Sequence, residues 1–116
     1  MFAVIFEVTM PEDKQSRYLD IAAGLRPLLN DADGFISIER FTSLSTPGKL
    51  LSLSLWEDEA SLLKWKQNLQ HRQAQEEGKT DIFSFYRIRI AEISREYAFG
   101  QESSAEGICR KNTHLN

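Results

Sequence analysis

A chain of 116 residues, 41% hydrophobic and 27% charged, is long enough for one domain and too apolar for extensive disorder. Its net charge of −3 argues against broad attraction to nucleic acid, and a single cysteine, Cys109, excludes an internal disulfide framework or a multi-thiolate zinc site. The opening MFAVIFEVTM lacks the features of a signal peptide, and no apolar run approaches the ~20 residues that span a bilayer; a soluble cytoplasmic protein without membrane contact is expected.

Phe2 to Thr9 is predicted as a strand, since Phe2, Val4, Phe6 and Val8 recur at every second position. Pro11, Glu12 and Asp13 supply helix-start chemistry. Tyr18, Ile21, Ala22, Leu25, Leu28 and Leu29 then follow the spacing of one apolar helix face, in which Pro27 is expected to kink or end the helix near Arg26. Asp33-Gly34 punctuates the entry to a second strand, Phe35 to Leu44. Thr46-Pro47-Gly48 is a turn, and Lys49 to Glu57 completes a hairpin.

Asp58 is a natural N-cap for a second helix, along which Leu62, Trp65 and Leu69 share a face and which Gly78 closes. A fourth strand runs from about Phe85 to Arg95. The order β-α-β-β-α-β predicts an α+β, ferredoxin-like fold: an antiparallel sheet with both helices on one face. Residues 100–116 show no period and are expected to form a mobile tail, or an arm that orders on a partner subunit.

Alternation assigns Val4, Phe6, Ile36, Ile38, Leu51, Leu53, Leu55, Ile88 and Ile90 to the helix-covered face. It leaves Ile5, Glu7, Phe35, Phe41, Trp56, Arg87 and Arg89 on the other. Four bulky apolar residues on an uncovered face predict a homodimer formed through the sheet; the alternative is a mixed, solvated face.

Phosphate-binding glycine loops and nucleophile elbows are absent, and His71 and His114 are too far apart for a metal pair, so neither metal nor cofactor is expected. Cys109 with His114 lies in the tail, which cannot hold a nucleophile against its base. What remains is Trp65 to Arg72, followed by Tyr86-Arg87. On an uninterrupted helix His71 points about 120° away from Trp65, a solvated position. A break capped by Asn68 would instead restart the helix and turn His71 towards a pocket.

The segments GFISIERF, PGKLLSLSLWEDEASLLKW, HRQAQ and IFSFYRIRIAEI together resemble the antibiotic biosynthesis monooxygenase family, across about Phe2 to Tyr97. That resemblance makes residues 1–99 a family-like domain and implies a dimeric α+β barrel in which two ferredoxin-like subunits pack their sheets. It also implies a cofactor-independent monooxygenase that joins O₂ to an aromatic or quinol-type substrate. Trp65 matches the family tryptophan, His71 a polar or histidine position, and Arg87 lies near an arginine position, although strand alternation puts it on the sheet's other face. Catalysis is thus expected from His71, as base, and Trp65, with Phe6, Trp65, Tyr86 and Arg87 around the substrate. The haem-degrading branch carries an asparagine on the first strand, where this chain has Phe6 and Glu7. A dimeric module that binds a hydrophobic small molecule, or serves in stress response, without turnover is the competing expectation.

Overall fold

The computed structural model describes residues 1–75 and 83–101, with the side chains of residues 70–75 outside the description. Strand β1 (Phe2–Thr9) leads through a short 3-10 turn (Glu12–Lys14) into helix α1 (Gln15–Asn30). Strands β2 (Phe35–Thr42) and β3 (Lys49–Trp56), helix α2 (Glu59–Gln75) and strand β4 (Phe85–Glu92) follow. The sheet order is β2-β3-β1-β4 with every neighbouring pair antiparallel, the ferredoxin-like α+β arrangement expected from the element order.

Local chemistry explains most boundaries. Lys49 N–H donates to Thr46 C=O at 3.3 Å across Pro47 and Gly48, whose φ of +78° fits the third position of a type II turn. The Asp58 carboxylate accepts the Ser61 N–H at 2.8 Å, the N-cap bond that starts α2. Pro27 does not end α1, which continues to Asn30. Leu29, buried in the core, anchors the last turn, and Asp31 and Ala32 donate back to Leu28 and Leu29 to close it. Nor does α2 break at Asn68: the helix is continuous from Glu59 to Gln75. Gly78, Cys109, His114 and the tail beyond residue 101 lie outside the described residues.

The register corrects the face assignment of β3. Phe2, Val4, Phe6 and Val8 pair with Trp56, Ser54, Ser52 and Leu50, so these residues share the helix-covered face. All four β3 residues are buried, Trp56 to 1% exposure. Leu51, Leu53 and Leu55, expected inside, therefore lie on the outer face. Phe35 and Trp56, expected outside, pack edge to face at 5.4 Å inside the core. A one-residue change of phase moves a whole strand's side chains across the sheet. Phe41, opposite Leu51, is on the outer face as expected.

Candidate functional site

Across the helix-covered face the strands align in rows. Ile38, Ser54, Val4 and Ile90 form one; Arg40, Ser52, Phe6 and Ile88 form the next. Two apolar clusters hold the ends of this face. Leu29, Trp56 and Leu62 pack with Phe35 and Trp65 at one end; Val8, Met10, Tyr18 and Leu50 pack with Phe6 and Phe83 at the other. Between them β3 contributes only the hydroxyls of Ser52 and Ser54, both buried. Trp56 Nε1 donates to Ser54 Oγ at 3.0 Å, fixing the indole against this strip.

The β4 side of the face is open. Tyr86, Ile88 and Ile90, which pair with Val8, Phe6 and Val4, are 58%, 41% and 38% exposed. Phe6, Phe83 and Tyr86 meet at ring separations of about 6 Å, and Tyr18 closes on Phe83 at 5.7 Å. An apolar, partly aromatic surface bordered by a few polar groups is what small-molecule sites use.

Of the residues expected at the site, Phe6 and Tyr86 are brought together, with ring centroids 5.9 Å apart. Trp65, half-buried, sits in the opposite cluster, tilted against Trp56 at 6.5 Å. His71 lies on α2, and its side chain is outside the described residues. Arg87 is on the sheet's outer face, away from this surface. There its Nε donates to Glu7 at 3.1 Å, and its guanidinium lies 5.4 Å from the Phe85 ring. Lys49 and Arg89 also reach the Glu7 carboxylate, at 3.9 and 3.6 Å. The Arg87 hydrogen bond holds the Glu7 carboxyl below its usual range, with Lys49 and Arg89 adding to the effect against partial desolvation.

Three contributors to the surface lay outside the expected set: Arg40, Ser52 and Ser54. Their signal was parity, since all three fall in phase with Ile38 and Trp56 once β3 is set in register. A separate shallow depression on α2, lined by Leu63, Lys64 and Gln67, involves none of the expected site residues. Among the described residues no group of acidic, histidine or cysteine side chains could hold a metal ion, and no helix is long and apolar enough to cross a membrane.

The family model described as antibiotic biosynthesis monooxygenase matches residues 1–77. The chain belongs to that family. It is 47% identical over 95 residues to the Jasmonate monooxygenase ABM of Pyricularia oryzae, a match covering 81% of this chain and 44% of the relative. The chain thus spans less than half the length of that relative. Uncharacterized protein YqjZ of Bacillus subtilis is 23% identical over 103 residues, 89% of this chain and 88% of its own. Among solved structures, the heme degrader MhuD of Mycobacterium tuberculosis, with two hemes in its active site, has a TM-score of 0.68 at 9% identity. That match covers 84% of this chain and all of MhuD. A provisionally named family member from Deinococcus radiodurans gives 0.65 at 11%, covering 87% of this chain and all of its own. Both share the fold.

Proposed function

We propose that this chain is a monooxygenase that joins O₂ to a small, ring-bearing, largely apolar substrate of aromatic or quinol type, held on the helix-covered face of the sheet. The observation that carries this function is the helix-covered face itself, flanked by two aromatic clusters and exposed along β4 at Tyr86, Ile88 and Ile90. Family membership supports the reaction class, and the name of the Pyricularia relative supports a small, mainly hydrocarbon substrate. In the proposed reaction a deprotonated phenol reduces O₂; one oxygen atom enters the ring to give a quinone and the other leaves as water.

Phe6 and Tyr86 border one end of the substrate and Trp65 the other. His71 is the proposed base that takes the phenolic proton, on the strength of the family position it matches. Because α2 runs unbroken past Asn68 and carries His71 about 120° around the helix from Trp65, the role requires the phenolic end of the substrate to reach that side of the helix. The outer face of the sheet, with Ile5, Leu51, Leu53, Leu55 and Phe41 around Glu7, is the proposed homodimer interface. Oxygen-electrode measurements with hydroquinones and polycyclic phenols, without added metal or flavin, test the activity. Uptake with one of these classes is the expected outcome, and His71→Ala should lower it by about 10²–10⁴-fold. Tight binding without oxygen uptake across the panel would instead make the chain a binding module.

A further inference from the structure

The outer face of the sheet is not evenly charged. From β2 to β4 its rows read Ser37–Leu55–Ala3–Ala91, Glu39–Leu53–Ile5–Arg89 and Phe41–Leu51–Glu7–Arg87. Lys49, Arg87 and Arg89 share the one Glu7 carboxylate, which leaves positive charge in excess towards β4. On β2 the exposed Glu39 meets no cation among the described residues. The middle row thus runs acid, leucine, isoleucine, base, and is complementary to itself when turned end for end.

A second observation points the same way. β2 and β4 are the two edges of the sheet. After β4, Ile93 N–H donates to Met1 C=O at 2.9 Å, and residues 94–99 run on without a turn, a bend or a backbone hydrogen bond to any described residue. Alternate side chains of an extended run share a side, so Tyr97 and Phe99 project together, 52% and 94% exposed. Exposed rings on an extended segment, and an unpaired strand edge elsewhere on the same chain, are the two halves of a strand-addition contact.

We infer that two copies of the chain pack outer face to outer face about a two-fold axis running along the strands, between β1 and β3, so that β4 and the segment after it in each copy meet β2 of the other. This rests on the dimer proposed above and adds its orientation. Glu39 then lies against the partner's Arg89 at both ends of the middle row, Leu53 against the partner's Ile5, and Leu55 over the small side chain of the partner's Ala3. Phe41 faces the partner's Arg87, a cation over a ring. Tyr97 and Phe99 arrive at the free edge of the partner's β2. The other two-fold, across the strands, sets β2 on β2 and the arginines of β4 on one another, an arrangement that like-charge repulsion disfavours.

The test uses the full chain carrying Cys109→Ser, so that introduced thiols are the only ones. Glu39→Cys and Arg89→Cys are made separately, mixed, allowed to exchange subunits and treated with a short bis-maleimide. Covalent dimer should form in the mixture and in neither variant alone. Covalent dimer from Glu39→Cys alone overturns this orientation, and so does a protein that sediments as a dimer but cross-links in no sample; in both cases the dimer itself stands. Charge reversal reads the same contact without thiols. Glu39→Arg or Arg89→Glu should weaken association by about 10-fold, and the double variant should recover most of it, whereas an additive loss in the double variant overturns the pairing. A wild-type chain that stays monomeric at micromolar concentration overturns the dimer and its orientation together.

Discussion

Gly34 sits at a residue-scale junction where substitution has no room. Its φ is +77°, its carbonyl accepts the Glu57 N–H at 2.8 Å, and an added Cβ would lie 2.6 Å from Ser61 Cβ on α2. Gly34→Ala should therefore cost about 1–3 kcal/mol, seen as a lower urea midpoint with an unchanged slope. Glu7 sets the acid limit of the outer face. Its folded-state pKa is lowered, chiefly by the Arg87 hydrogen bond, so its contribution is present above the ordinary glutamate range and disappears as pH falls through the folded value. Melting curves at a series of acidic pH values should show Glu7→Gln less stable than wild type near neutrality and converging on it in acid. At this scale the inner-face positions of Phe6, Ile88 and Ile90 were legible, because strict alternation put all three there. Arg40 was not, since an arginine within FISIERF has the look of a solvated strand residue until its partners across the ladder are known.

At the scale of elements, α2 depends on its first turn. The Ser61 hydrogen bonds hold the Asp58 carboxyl below its usual range. Asp58→Ala should lower stability by about 0.5–2 kcal/mol through loss of the cap, measurable in denaturant melts. Strand positions, both helices and the Pro47-Gly48 turn were readable from periodicity and turn chemistry. The phase of β3 was not. KLLSLSLW alternates cleanly, but alternation says only that two sets exist, and the leucine set looks like the core. An associating subunit needs apolar residues on both faces, and the conspicuous leucines fall on the face proposed above as the dimer interface. Trp56, in phase with the serines, was the residue that betrayed the true phase. Pro27 misled in the opposite direction: propensity says stop, while burial of Leu29 carries α1 through one more turn.

For the whole molecule, the inverted β3 divides the apolar resources of the chain. The inner face keeps two small clusters, and three leucines, with Ile5 and Phe41, turn outward. Stability should therefore be shared with association. Tm should rise with protein concentration, and sedimentation should show a dimer at micromolar concentration. Leu53→Glu should yield a folded monomer of lower Tm, because it places an unpaired charge in the interface. Trp56→Glu, by contrast, should unfold the chain, since that side chain is 1% exposed within one subunit.

The only two tryptophans in the chain, Trp56 and Trp65, lie 6.5 Å apart beside the serine strip, and one of them is hydrogen-bonded to it. Nearly all the ultraviolet emission of the protein thus originates from a single spot at one end of the helix-covered face. A ligand bound at the proposed site would change the surroundings of this indole pair, shifting emission colour and near-ultraviolet dichroism together. Occupancy would then be followed optically in the unlabelled chain, and a Trp65→Phe variant leaves Trp56 as the lone tryptophan, reporting on the Ser54 hydroxyl that anchors it.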